Sequence, residues 1–81
     1  MVRVVVMPPF GNEFFGGKDR LDVDAKSLFG VARALDTIGS GFGDVAEVRA
    51  QFAIDGVVEP DWSTPVLDTS EVILLPRVGG G

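Results

Sequence analysis

The chain contains neither cysteine nor histidine. Without thiols there is no disulfide framework, no thiolate nucleophile and no cysteine-ligated zinc or iron–sulfur site, and without imidazole the commonest metal ligand and general base are missing too. Most catalytic chemistries fall away with those two residue types. Positive charge is also scarce: seven Lys and Arg against twelve Asp and Glu leave a net charge of -5, which repels a phosphate backbone or an anionic membrane. Neither a nucleic-acid partner nor a membrane partner is expected. The longest apolar runs are Val4 to Pro9 and Val72 to Pro76, far short of the roughly 20 residues a membrane helix needs, and no signal-peptide core follows a basic start. A cytoplasmic location is expected, and the lack of cysteine is compatible with it. Asp22, Asp24 and the other scattered acids have no paired spacing suited to metal or acid–base work, so no metal site is expected.

What remains is enough for one small core. A chain of 81 residues with 46% hydrophobic content fits a single compact domain near the lower limit of self-sufficiency. The opening "VRVVVMP" is dense in β-branched residues at Val2, Val4, Val5 and Val6 and reads as a strand buried on both faces or nearly so, ended by Pro8 and Pro9. "FGNEFFGG" reads as a loop, given Gly11, Asn12, Gly16 and Gly17. In "KDRLDVDA", Leu21 and Val23 alternate with Arg20, Asp22 and Asp24, the pattern of a half-exposed second strand.

Asp24 is the expected N-cap of a helix over "AKSLFGVARALDTIG", whose core stripe is Leu28, Val31, Ala32, Leu35 and Ile38 and whose stop is Gly39. "VAEVRA" reads as a short helical turn. "QFAIDGVVE" carries Asp55-Gly56, a strong hairpin signal. "STPVLDTSEVILLP" then supplies a proline-led edge segment, a polar turn and a last apolar strand. The first and last strands are the most apolar, and so belong side by side at the sheet centre, parallel, with the helix across one face. The expected class is α+β, a β-grasp (ubiquitin-like) fold: a mixed sheet of four to five strands and one main helix over residues 1–77, followed by a flexible glycine tail, 78–81.

The C-terminal third, "FAIDGVVEPDWSTPVLDTSEVILLPRVGGG", resembles the MoaD/ThiS family of small sulfur-carrier proteins. The matching features are Asp55-Gly56, Thr64-Pro65-Val66, the acidic turn Asp68 to Glu71, the apolar run Val72 to Leu75, Pro76, and the terminal Gly80-Gly81. The fit covers residues 52–81 closely and residues 1–38 loosely.

The resemblance implies a carrier and not an enzyme. On that reading the Gly81 carboxylate is adenylated by a ubiquitin-activating-like adenylyltransferase that uses ATP, while the carrier itself binds no cofactor. A sulfur donor system then converts it to a thiocarboxylate, and the sulfur passes to a biosynthetic acceptor, the molybdopterin precursor first or the thiazole of thiamin next, through a larger catalytic subunit. Pro76, Arg77, Val78, Gly79 and Gly80 are the implied partner-binding residues. A ubiquitin-like modifier conjugated through Gly81, or a non-covalent interaction module, are the alternatives.

A thin tail suits the implied chemistry. Four extended residues reach roughly 13 Å, and glycine lets a backbone thread a narrow channel. Three features depart from the family: a third glycine at Gly79, Arg77 in place of the second proline usual in the molybdopterin branch, and the long "PPFGNEFFGG" segment. Arg77 reads either as a contact to an acidic groove or as an exposed charge ending the strand. Phe10, Phe14 and Phe15 are expected to cap the open end of the core, and Trp62 to cover its edge, rather than to form exposed patches. Phe52, Ile54, Val72 and Leu74 are candidate partner contacts if they face outward, which alternation leaves open.

Overall fold

The computed structural model describes residues 1–77. A sheet of five strands has the order β2-β1-β5-β3-β4, built from β1 (Val2–Val6), β2 (Arg20–Val23), β3 (Ala50–Ile54), β4 (Val57–Val58) and β5 (Glu71–Pro76). β1 and β5 run parallel in the middle, with Val4 opposite Val72 and Val6 opposite Leu74; every other pairing is antiparallel. The expected pairing of first and last strands is therefore present. β1 is buried on one face and not on two: Val2, Val4 and Val6 point into the core, whereas Arg3 is exposed and Val5 half-buried. Asp55 and Gly56 close the β3–β4 hairpin with φ of 50° and 88°, the left-handed pair that suits the twist of a two-residue turn.

Three helices cover the buried face. The longest, α2 (Leu28–Ile38), lays Leu28, Val31, Ala32 and Leu35 on the sheet. Its cap is Ser27 and not the expected Asp24: the Ser27 hydroxyl accepts the Gly30 N–H at 3.2 Å. The first two amide groups of the helix donate to the carbonyls of Thr64 and Trp62 at 3.2 and 2.8 Å, so the orphan donors of the first turn are met by the segment crossing above. Pro65 lies in that segment, joined to Ser27 by a single bridge and outside the sheet.

Ile38, expected in the core stripe, is instead 49% exposed, and the buried stripe ends at Leu35. A Cβ at Gly30 would meet the Ala25 methyl, so that glycine admits the incoming chain and not the sheet.

The loop expected at 10–17 contains a helix, α1 (Phe10–Phe14), and the short helical turn expected over "VAEVRA" (45–50) begins earlier, as an eight-residue helix, α3 (Phe42–Arg49). Neither is favoured by propensity, and a helix of five residues does not persist alone. Packing accounts for both. Phe42 of α3 is fully buried and its ring meets those of Phe10, Phe14 and Phe15 at 5.8, 5.7 and 5.5 Å, so four rings close one end of the core. The ion pair from Arg49 to both oxygens of Glu13, at 2.8 and 2.9 Å, ties α3 to α1 from outside. Trp62 covers the opposite edge, edge-on to Phe52 at 5.0 Å and Phe29 at 5.9 Å. The caps expected of the phenylalanines and of Trp62 are thus observed.

Candidate functional site: the base of the C-terminal tail

Gly81, Gly80, Gly79 and Val78 lie outside the described residues; Pro76 and Arg77 lie within them, at the point where the chain leaves the sheet. Parity of the ladder explains why a proline sits there. The Arg77 N–H donates to the Arg49 carbonyl at 2.7 Å and the Asp55 N–H to the Glu71 carbonyl at 2.9 Å, so odd-numbered residues of β5 bond toward β3. Even-numbered ones face β1, whose last bond to β5 is from the Met7 N–H to Leu74 at 2.9 Å. Pro76 lacks a donor where β1 has already ended, and no ladder bond is lost.

Three hydrogen bonds hold this exit. Besides the Arg77 amide, the Arg77 guanidinium donates to the Ala50 carbonyl at 3.2 Å, and the Gln51 side-chain amide donates to the Pro76 carbonyl at 3.3 Å. Arg77 is therefore both exposed and anchored to the neighbouring strand, an arrangement between the two sequence readings. Gln51 was not among the candidates. Its one signal was a polar side chain in an otherwise apolar strand, but only the β3–β5 register brings Gln51 opposite Leu75. Beside Arg77 a shallow hollow of about 290 Å³ is bordered by Phe29, Glu47, Pro60, Asp61 and Trp62. Asp61 is held ionised below the usual carboxylate range, chiefly by the Ser63 hydroxyl and then by the Ser63 amide.

The face of the sheet away from the helices is the second component. The facing that alternation left open is decided here, and Phe52, Ile54, Val72 and Leu74 do not face outward: Phe52, Val72 and Leu74 are fully buried and Ile54 packs half-buried against the core. Their neighbours in the alternation lie on the other face, Val5, Ile73 and Leu75 half-buried and Ala53 buried, and exposed Met7 and Val58 extend it. Register places Val5, Ile73, Ala53 and Val58 in one row across four strands. Among the described residues no acidic cluster is disposed to hold a metal ion and no helix is long and apolar enough to cross a membrane. What this geometry offers is a strand end, fixed at its base, beside an apolar sheet face.

No protein-family model and no curated protein matches the sequence. Solved structures do. Mycobacterium tuberculosis CysO superposes with a TM-score of 0.82 at 17% identity, over 96% of this chain and 100% of that one. The chain has the ubiquitin-like β-grasp fold. A chain from the Amycolatopsis orientalis BexX/CysO complex matches at a TM-score of 0.80 and 16% identity, over 100% of both. A chain from the complex of subunits 1 and 2 of molybdopterin-converting factor from Helicobacter pylori matches at 0.65 and 25% identity, over 99% of this chain and 97% of that one. The MoaD/ThiS-type family that residues 52–81 resemble fits these β-grasp neighbours, two of which are seen in complexes with protein partners.

Proposed function

We propose that this β-grasp protein is a cytoplasmic sulfur carrier that reacts through the carboxylate of Gly81. A carboxylate is a poor electrophile because its charge is delocalised and repels nucleophiles. In the proposed cycle its oxygen attacks the α-phosphorus of ATP on a ubiquitin-activating-like adenylyltransferase, releasing pyrophosphate and leaving an acyl adenylate. A sulfur nucleophile from the donor system then displaces AMP, leaving a thiocarboxylate. That sulfur is given to a cofactor precursor, in the first instance the precursor of molybdopterin, with a larger subunit doing the chemistry.

The observation that carries the reading is the anchored exit at Pro76 and Arg77, which fixes the base of the last four residues on the central strand, so that in the proposed cycle they enter a partner while the body stays outside. The fold neighbours seen with partners, and the sequence pattern ending in Gly80-Gly81, support it. Under the same reading Val5, Ile73 and Leu75 supply the apolar docking face, and Arg77 to Gly80 line the entry.

Intact-mass measurement on protein from its native host tests the proposal. Replacement of one oxygen by sulfur at Gly81 is expected. An isopeptide to other proteins would instead mark a modifier, and an unmodified terminus with no adenylate formed by any activating enzyme would mark a non-covalent module. The reading requires a free carboxylate on Gly81, which the same spectrum reports.

A further inference from the structure

We propose that the outer edge of β2 pairs antiparallel with the same edge of a second copy, joining two five-stranded sheets into one. β2 is an edge strand, bonded only to β1 within the sheet. The Val6 N–H donates to the Asp19 carbonyl at 2.8 Å, and Val4 stands opposite Leu21. Since hydrogen-bonded and non-bonded positions alternate along an antiparallel pair, Asp19, Leu21 and Val23 turn their backbone groups toward β1, and Arg20 and Asp22 turn theirs outward. Residues 16–20 and Asp22 are exposed, so the edge is open to approach.

The pairing is specified by charge. With the two-fold axis at Leu21, Arg20 of each copy lies opposite Asp22 of the other, and both outward-bonding residues exchange N–H to C=O bonds, giving four. Lys18 and Asp24, both exposed, come opposite each other in the same register. Moving the axis to Arg20 stacks Arg20 on its own copy, and moving it to Asp22 stacks Asp22 likewise; like charges directly opposite are unfavourable. The charges on neighbouring strands extend the pattern, because Glu71 pairs with Arg3 and Arg3 with Asp22. A row running Glu71, Arg3, Asp22 and Arg20 of the second copy alternates in sign.

Charges on an edge ordinarily prevent pairing, but a strand charged for protection alone gains nothing from signs that alternate in a self-complementary register. The second copy is therefore the fitting occupant. Because β5 lies two strands away from β2, Pro76 and Arg77 of both copies stay clear of the contact, and the antiparallel axis places them toward opposite ends of the joined sheet.

Sedimentation velocity from low concentration to about 1 mM, the weak limit of useful self-association, tests this independently of any sulfur chemistry. Wild type is expected to form a concentration-dependent dimer that weakens with salt. Arg20→Asp and Asp22→Arg, each checked for folding by circular dichroism, are each expected to raise the dimer Kd by roughly tenfold or more. An equimolar mixture of the two variants restores association, since Asp then faces Arg at every position, and the double swap Arg20→Asp/Asp22→Arg restores the homodimer. A wild type that stays monomeric throughout, single variants that associate as wild type does, or a mixture that does not associate would each overturn the proposal.

Discussion

Replacing Gly39 by alanine separates two explanations of one residue. Read as a helix stop, Gly39 ends α2 by adopting a left-handed conformation, and alanine there costs about 1 kcal/mol. The structure assigns a different reason. Gly39 has φ of -116°, a value open to any residue, but a Cβ would run into the Phe14 carbonyl oxygen and sit 2.8 Å from the Phe15 ring and 2.9 Å from the Phe14 Cβ. One of these neighbours is backbone and two belong to the aromatic cluster around Phe42, so α1 has to move away bodily.

Forced overpacking of this kind costs about 1 to 3 kcal/mol, and with backbone among the obstacles the upper half is expected. At 81 residues total stability is on the order of 4 to 12 kcal/mol, so the variant should still fold, with Tm lowered by roughly 10 to 20 °C. Gly41→Ala is the control. Gly41 has φ of 96° and nothing nearer than the Phe14 ring edge at 3.9 Å, so only the conformational term of about 1 kcal/mol applies. Urea unfolding followed by Trp62 fluorescence and circular dichroism measures both. A Gly39→Ala loss equal to or below that of Gly41→Ala would refute the packing argument and return Gly39 to the role of a simple stop.

Deleting Gly81 should abolish adenylate formation with a cognate activating enzyme and ATP while leaving the urea midpoint unchanged; a deletion that still accepts adenylate would defeat the carrier reading. Phe52→Ala should cost about 3 to 5 kcal/mol, since Phe52 is fully buried beneath Trp62, whereas Ile73→Asp on the open face should weaken partner binding far more than folding, as calorimetric binding beside thermal melts would show. Gln51→Ala should lower kcat/KM for activation through a higher KM, with less than about 1.5 kcal/mol lost in stability; unchanged kinetics would reduce the Gln51 bond to ornament. The Arg49 hydrogen bond holds Glu13 ionised below its ordinary pKa, so this pair supports the fold above the usual carboxylate range and its support is lost as pH falls through the depressed value. The Tm difference between wild type and Glu13→Gln should accordingly shrink on acidification, and a difference that persists in acid would contradict the assignment.

Local pattern settled the parts of this protein whose cause is local. The β-branched opening, the Asp55-Gly56 turn, the stripe from Leu28 to Leu35 and the alternation of Leu21 and Val23 each declare an element because the residue period and the backbone period coincide, and the two most apolar strands declare the centre of the sheet.

Tertiary structure decided the rest. "FGNEFFGG" becomes a helix only because Phe42, 28 residues beyond Phe14, gives its rings a surface, and Ser27 caps α2 because Trp62 and Thr64 arrive above it. Apart from Gln51 and Glu71, β3 and β5 are apolar on both faces, so alternation alone does not settle whether Phe52 or Ala53 points inward; the helices packed on the Phe52 face do. The anchored exit at Pro76 belongs to the same class. Its partners Gln51, Arg49 and Ala50 are remote in the chain, and no period along one segment encodes a contact that exists only once two strands have met.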